Sequence, residues 1–178
     1  DSESRGLGDV YKRQPILFVP WICDDNYEHS MEMLRTAKAD LCFGHLEIKG
    51  IEMQNGVINE HGLAKSDFKR FDRVVSGHFH KHTDDGQIFY CGAQYEMTWS
   101  DYQDPKAFHI FDTETRELTR ISNPLTIHKK IIYDDKKKDY TNYDIQPYHN
   151  HFVKLIVLNK TDNEVFDKFV ERLYNEIT

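Results

Sequence analysis

Two short apolar runs that each end in Gly-His constrain this chain more than any other feature of its sequence. Asp40–Phe43 leads into Gly44 and His45, and Arg73–Ser76 leads into Gly77, His78, Phe79 and His80. Runs of this length and composition are typical of strands buried in a parallel sheet. Because such strands end at one edge of the sheet, where ligands bind in open α/β folds, we expect the histidines to meet there.

His78 and His80 are two residues apart, and in an extended segment they point to the same side. Gly77 is expected to let the backbone turn tightly at the strand end. Imidazole suits manganese, iron and zinc, so His45, His78 and His80 are the predicted metal ligands. Two other histidines are given lesser roles, with His82 expected in a solvated loop and His61 in a plain turn.

The order of apolar patterns predicts an α/β protein. Ile16–Trp21 indicates a buried strand, and a helix follows from about Asp25 to Ala39. After residue 84 the pattern changes to hairpins, which predict a second, antiparallel sheet. Near the end, His151–Leu158 alternates like a strand. Thr161–Glu164 then predicts a helix start whose apolar stripe, expected to be under-buried, contains Phe166, Phe169, Val170, Leu173 and Ile177.

Composition limits the compartment and the partners. The net charge of −7 opposes phosphate binding spread over the whole surface, because such binding needs clustered Lys and Arg. Three cysteines, two of them inside apolar runs, favour free thiols in a reducing compartment. No apolar stretch approaches the roughly 20 residues that cross a bilayer, and no signal sequence opens the chain. We therefore expect a cytoplasmic protein without a membrane partner.

The sequence around the Gly-His pairs contains further short motifs in a specific order and spacing. It includes Pro20-Trp-Ile-Cys23, Gly44-His-Leu-Glu-Ile-Lys-Gly50, His61-Gly-Leu63, Ser76-Gly-His-Phe-His80 and Asp104-Pro-Lys-Ala-Phe108. These segments resemble the calcineurin-like metallophosphoesterases. Within that superfamily they are most similar to the recombination endonuclease subunits of T-even-like phages and to bacterial SbcD-type DNA-repair nucleases.

The resemblance implies the carboxy-terminal part of a four-layer α/β/β/α sandwich, followed by the start of a small α+β capping domain. It implies two divalent ions, manganese first, with magnesium, iron and zinc as alternatives. By motif match, His45 and His78 would bind one ion and His80 the other. It also implies hydrolysis of DNA phosphodiesters together with an SMC-type ATPase subunit, in the host cytoplasm if a phage encodes the protein. A homodimer is an open alternative.

The family's Asp-x-His, Gly-Asp and Gly-Asn-His-Asp motifs, which contain its catalytic histidine, have no counterpart in this sequence. No catalytic residue is therefore assigned, and we expect the chain by itself to be inactive. The predicted divisions are a sequencing scar at 1–14, a partial phosphoesterase domain at 15–133, a linker at 134–150 and a truncated capping or DNA-binding domain at 151–178.

Three alternatives stay open from the residues. A phosphatase or nucleotidase of the same superfamily would use the same histidines on smaller substrates. A non-catalytic binding module would use them structurally, so that His78→Ala would disturb folding rather than metal binding. A complete three-histidine zinc site would need no further ligands.

Overall fold

The computed structural model describes residues 15–54 and 56–177, so the predicted scar at 1–14 lies outside the described residues. The chain divides into two compact units. Unit 1 contains the described residues up to Gln94 together with Asp104–Asn123, and unit 2 contains Tyr95–Gln103 and the residues from Pro124 onward.

Unit 1 carries most of the regular structure. In chain order its elements are β1 (Ile16–Val19), α1 (Tyr27–Thr36), β2 (Leu41–Gly44), β3 (Glu52–Gln54), β4 (Val57–Ile58), β5 (Arg73–Ser76), β6 (Thr83–Asp84), β7 (Ile88–Tyr90), β8 (Ala107–Phe111) and β9 (Leu118–Ser122). Short 3-10 helices cover Asp24–Asn26 and Lys65–Phe68.

A five-stranded sheet with the order β1-β2-β5-β7-β6 forms the centre of unit 1. The first four strands in that order pair in parallel, and β6 pairs antiparallel with β7. Two separate antiparallel pairs, β3-β4 and β8-β9, complete the unit. The predicted α/β class is therefore correct, whereas the four-layer sandwich stays a prediction.

The core of unit 1 lies where α1 and the loops pack on this sheet. Leu34 of α1 and Phe68 are fully buried, as are Cys42 and Val74 of the two central strands. A fully buried aliphatic or aromatic side chain contributes about 1.5–3 kcal/mol relative to an exposed one. The apolar runs recognised in the sequence therefore supply the stability of the sheet that carries the histidines.

Three local expectations for unit 1 need correction. β1 ends at Val19 rather than Trp21, because Pro20 has no N–H to continue the ladder. The predicted helix of Asp25–Ala39 is a 3-10 turn followed by α1. β7 was expected in a second sheet, but it joins the first in parallel with β5, and its three residues are all buried. The hairpin β8-β9 forms as expected.

Unit 2 is built on two parallel strands and a helix. Its elements are β10 (His128–Asp134), β11 (Phe152–Asn159) and α2 (Asn163–Glu176), with 3-10 helices at Trp99–Asp101 and Gln146–Tyr148. The predicted strand at His151–Leu158 corresponds to β11. The N-cap of α2 is Asp162 rather than Thr161, because the Asp162 carboxylate accepts the N–H groups of Glu164 and Val165.

One face of the β10-β11 pair packs on α2. Ile131 and Tyr133 of β10 are buried against Phe169 and Leu173 of the helix. The expectation of an under-buried apolar stripe is therefore wrong for Phe169 and Leu173. The reason is that β10, most of which lies within the predicted phosphoesterase domain at 15–133, pairs with β11 and widens the surface that the helix covers.

The predicted linker at 134–150 contributes to this core. Tyr140 and Ile145 are each 2% exposed, and the Tyr140 ring stacks on Tyr133 with centroids 4.1 Å apart. The polar, lysine-containing sequence of this segment predicts a linker, because its few apolar side chains are too far apart to form a recognisable helix or strand pattern. No helix within residues 15–54 and 56–177 is long and apolar enough to cross a membrane.

Candidate functional site

The carboxyl ends of β1, β2 and β5 lie at one edge of the central sheet. Val19 is paired with Gly44, and Gly44 with Ser76, so the three strands end level with one another. The chain continues from these ends into Trp21, His45 and His78. Parallel pairing thus brings His45 close to Trp21, which is 24 positions earlier in the chain, and to His78, which is 33 positions later.

Three aromatic rings meet at this edge and form what we call the Trp-His cluster: Trp21, His45 and His78. The two imidazole centroids are 5.2 Å apart in an edge-on arrangement. The indole of Trp21 lies 4.8 Å from the ring of His78 and 5.5 Å from that of His45. The expected meeting of His45 and His78 is therefore observed.

Two buried hydroxyl groups fix the backbone beside His45. The Leu46 N–H donates to Ser76 Oγ at 2.8 Å, and the Leu46 carbonyl accepts from Ser76 Oγ at 3.2 Å and from the Tyr90 hydroxyl at 2.7 Å. Ser76 is 1% and Tyr90 0% exposed. Because a buried carbonyl is costly to leave unpaired, these hydroxyls hold the chain of His45 against the ends of β5 and β7.

The loop that carries Trp21 is held by a single amide side chain. Asn26 Oδ1 accepts the Cys23 N–H at 2.8 Å, and Asn26 Nδ2 donates to the Trp21 carbonyl at 2.8 Å. Trp21 itself is 48% exposed. The half-exposed indole therefore lies against both imidazole rings, and Asn26 sets the position of the Trp21 backbone.

The two glycines before the histidines differ in what the structure requires of them. A Cβ atom on Gly44 would lie 2.8 Å from the Val19 carbonyl oxygen, too close for any side chain. A Cβ on Gly77 would meet His45 Nδ1 at 3.7 Å, which is an ordinary contact. Gly44 is thus demanded by the close approach of β1, whereas the tight turn expected at Gly77 does not require glycine.

The electrostatic surroundings of His78 favour a neutral imidazole. Burial lowers the pKa of His78, and the neighbouring His45 and His80 lower it further, while the Glu47 carboxylate opposes them. His78 Nδ1 is buried without a hydrogen-bond partner among the described residues. A neutral ring with an unpaired nitrogen is the form in which histidine binds a metal ion.

A cavity of about 350 Å³ opens beside His45. Glu47 and Asp67 supply carboxylates to its wall, and Trp21, Tyr27 and Leu63 supply apolar surface. A pocket that combines apolar walls with a few acidic groups and a neighbouring histidine pair can hold a cation or a polar ligand.

His80 is close to the pair but differs in its setting. Residues 78–81 form bends rather than the expected extended segment, and Phe79 between the two histidines is buried on Tyr90. The His80 carbonyl accepts from Lys106 Nζ at 3.1 Å and from the Ala93 N–H at 2.9 Å. Within the described residues no group of three or more His, Cys, Asp or Glu has the arrangement of a metal site.

The two secondary histidines behave differently from each other. His82 is half-buried rather than solvated, with Nδ1 2.8 Å from the Tyr90 carbonyl and its ring against Phe89 and His109. His61 is exposed in a bend, as expected of a turn residue.

Sequence reasoning missed Trp21, Ser76 and Tyr90 as parts of the site. Trp21 could have been found, since it follows a parallel strand just as the histidines do. Ser76 and Tyr90 carry no such signal, because a hydroxyl at the end of an apolar run indicates nothing about its partner.

Comparison with known proteins gives one match among curated sequences. The chain is 35% identical over 132 residues to Exonuclease subunit 1 of Enterobacteria phage T4, an alignment that covers 72% of this chain and 39% of the phage protein. The chain thus spans about two fifths of that relative's length. No protein-family model matches the chain. The predicted similarity to a nuclease subunit of T-even-like phages is confirmed, and the wider metallophosphoesterase assignment stays a prediction.

Proposed function

We propose that this chain is part of a metal-dependent nuclease that hydrolyses DNA phosphodiesters. The observation that carries the proposal is the contact between His45 and His78, with the unpaired, buried Nδ1 of His78, in a chain similar to a phage exonuclease subunit. The mixed α/β fold and the position of the histidines at strand ends agree with such a site.

The described residues fit part of a metal site. In the proposal His45 and His78 bind one divalent ion and His80 a second, with manganese as the first choice and magnesium, iron or zinc as alternatives. When bound, a pair of such ions activates water and stabilises the leaving oxygen in phosphodiester hydrolysis. Imidazoles carry no charge to balance two dications, so bridging carboxylates from outside the described residues complete the proposed site.

The chain's own residues prepare the histidines for this role. The Ser76 and Tyr90 hydroxyls hold the backbone next to His45, and the indole of Trp21 packs against both imidazoles. Burial lowers the pKa of His78 and so favours its neutral imidazole form. Such fixed surroundings reduce the reorganisation that metal binding would otherwise require.

The matched relative is named as a subunit, which supports a multi-protein complex as the working form. We propose DNA as the substrate and an SMC-type ATPase as the partner subunit, in the cytoplasm of the host cell. Neither proposal depends on a homodimer.

Metal binding by the chain tests the donor assignment. Calorimetric titration with Mn²⁺ should give weak binding that falls tenfold or more in His45→Ala and His78→Ala, since loss of a ligand or its support costs about 10–100-fold. His29→Ala, at an exposed position on α1, is the matched control and should bind like the parent chain. Equal affinity for His78→Ala and the control would refute the assignment.

Activity must be measured on a longer chain that also carries the amino-terminal family motifs. We expect Mn²⁺-dependent cleavage of DNA that is lost in His78→Ala and retained in His29→Ala. Hydrolysis of phosphomonoesters or nucleotides without cleavage of DNA would favour a phosphatase instead. Unfolding of the His78→Ala chain, seen by circular dichroism, would favour a structural role for the histidine.

A further inference from the structure

Unit 2 presents an open sheet face on the side away from α2. Along β10 and β11, alternate residues face the helix, and the others form the open face. On this face Phe152 is paired with His128, Lys154 with Lys130, and Ile156 with Ile132. Phe152 is 69% and Ile132 58% exposed.

Two lysines on this face are held directly opposite each other. Lys130 and Lys154 are register partners on adjacent strands, which lie about 4.8 Å apart. Like charges at directly opposed positions of adjacent strands are unfavourable in general, so an anion bound by both lysines would be favourable. Neither ammonium group is in an ion pair within residues 15–54 and 56–177.

Each lysine lies instead over an aromatic ring from the segment Tyr95–Gln103. Lys130 Nζ is 4.0 Å from the centroid of Tyr102, and Lys154 Nζ is 4.4 Å from that of Trp99. Trp99 also packs on His128 with centroids 4.5 Å apart. We call these five residues the aromatic-lysine face: Trp99, Tyr102, Lys130, Phe152 and Lys154.

The carboxylates of the same segment do not neutralise the lysines. Glu96 is 3% exposed and accepts the N–H groups of Ile127 and His128 at 2.7 and 2.8 Å. Asp101 is also 3% exposed and accepts the N–H groups of Met97 and Thr98. Both acids are buried, so the charged groups on the exposed face are the two lysines, beside aromatic and aliphatic side chains, although the whole chain carries a charge of −7.

We propose that the aromatic-lysine face binds single-stranded nucleic acid. Phosphates would bind the ammonium groups of Lys130 and Lys154, while the exposed ring of Phe152 would stack on an unpaired base. A duplex keeps its bases inside and cannot stack on the rings, so the single strand is favoured. The inference deepens the proposed nuclease function, to which it adds a substrate contact outside the histidine site.

Charge reversal tests the phosphate contacts. Fluorescence anisotropy with a labelled 20-nucleotide oligothymidine, in EDTA and about 0.1 M salt, should show binding that weakens at least tenfold in Lys130→Glu/Lys154→Glu. The slope of log Kd against log salt should fall by about 1.4, since each phosphate contact to a single strand contributes about 0.7. The same affinity and slope in this variant as in the parent chain would overturn the proposal.

The matched control reverses two other lysines of unit 2 that also lie over aromatic rings. Lys138 Nζ is 4.0 Å from the centroid of Tyr143, and Lys160 Nζ is 4.8 Å from that of Phe166. Lys138→Glu/Lys160→Glu makes the same change in net charge and removes the same kind of contact. We expect this control variant to bind the oligonucleotide within about twofold of the parent chain. An equal loss of affinity in both double variants would show that overall charge alone is responsible and would overturn the proposed face.

Stacking is tested by a second pair of variants and by fluorescence. Phe152→Ala should weaken binding roughly fivefold or more, while Phe18→Ala, at a position with nearly the same exposure of 68%, should not. In a Trp21→Phe background Trp99 is the only tryptophan, and its emission should be quenched by the oligonucleotide but not by inorganic polyphosphate. Unchanged emission together with equal affinity for a duplex would overturn the stacking contact.

These measurements separate this inference from the proposed function. Binding in EDTA requires no metal and no cleavage. If the longer chain that carries the amino-terminal motifs cleaves no DNA although binding still depends on the face, the nuclease proposal alone is contradicted. If that longer chain cleaves DNA but the lysine variants do not change binding, the face alone is contradicted.

Discussion

At the scale of single residues, the candidate site depends on groups that do no chemistry themselves. The Tyr90 hydroxyl is fully buried and donates to the Leu46 carbonyl, and burial raises the pKa of this tyrosine. Its proton therefore stays in place throughout the neutral pH range. Ser76 makes two further bonds to the same backbone, so His45 is positioned by its neighbour's main chain.

Removing the Tyr90 hydroxyl should loosen this arrangement. Tyr90→Phe leaves the buried Leu46 carbonyl with the longer bond from Ser76 alone, and we expect a loss of about 1–2 kcal/mol in the free energy of unfolding. Urea unfolding followed by fluorescence measures the change. Tyr174→Phe, at a position 77% exposed, is the control and should differ little from the parent chain. Equal midpoints for the two variants would contradict this role for Tyr90.

At the scale of elements, the edge of the central sheet is fastened by an ion pair between strands that are not adjacent. Arg73 at the start of β5 donates to both carboxylate oxygens of Asp84 on β6, at 2.8 and 2.7 Å, reaching past β7. These bonds lower the pKa of Asp84 despite an opposing effect of burial, with a smaller contribution from the Gly86 N–H.

The lowered pKa gives a prediction for acid stability. The folded state favours the charged carboxylate, so its contribution is complete above the unfolded value of about 3.9 and is lost as the pH falls through the lower folded value. The free energy of unfolding should decline below about pH 4, and the decline should be shallower in Asp84→Asn. Asp25→Asn, at an exposed position, serves for comparison. Identical pH profiles for Asp84→Asn and the parent chain would be inconsistent with the ion pair.

The helix α2 gives a second prediction at this scale. Phe169 is 1% exposed and lies against Tyr133, Tyr140 and Tyr143. Phe169→Ala should cost about 3–5 kcal/mol through lost burial and the cavity left behind. Tyr174→Ala on the exposed side of the same helix should cost far less. Hydrogen exchange of α2 amides measures both, and comparable exchange in the two variants would show that the helix is not held by this contact.

Much of the element scale could be predicted from sequence, and the site only in part. The Gly-His strand ends and the β8-β9 hairpin follow from local patterns, since apolar runs and turn residues indicate them directly. The pairing of β10 with β11 could not be predicted from the sequence, because 17 residues separate Asp134 from Phe152 and no local signal connects them. His45 and His78 were found by chemistry and parallel topology, whereas Trp21 and Tyr90 act through contacts that only packing reveals.

At the scale of the whole molecule, the donor set limits what the chain can do alone. In the proposed site His45, His78 and His80 offer imidazole nitrogens, and the described residues contain no group of three or more acidic, thiol or imidazole donors arranged as a metal site. We expect the 178-residue chain to show no Mn²⁺-dependent cleavage of DNA above background. Adding a homologous segment with the Asp-x-His, Gly-Asp and Gly-Asn-His-Asp motifs in place of residues 1–14 should restore it. Robust cleavage by the unmodified chain, lost in His78→Ala, would refute this expectation.

The division of unit 2 into two separate segments affects how the molecule is made on the ribosome. Tyr95–Gln103 leaves the exit tunnel before the hairpin of unit 1, yet the backbone groups that Glu96 binds belong to Ile127 and His128. Unit 1 is completely synthesised once Asn123 has emerged, whereas Glu96 and Trp99 cannot contact their partners at Ile127 and His128 until the start of β10 has been synthesised. Since domains generally fold as units in the order of synthesis, we expect this short segment to stay accessible to chaperones and proteases for longer than its neighbours on either side.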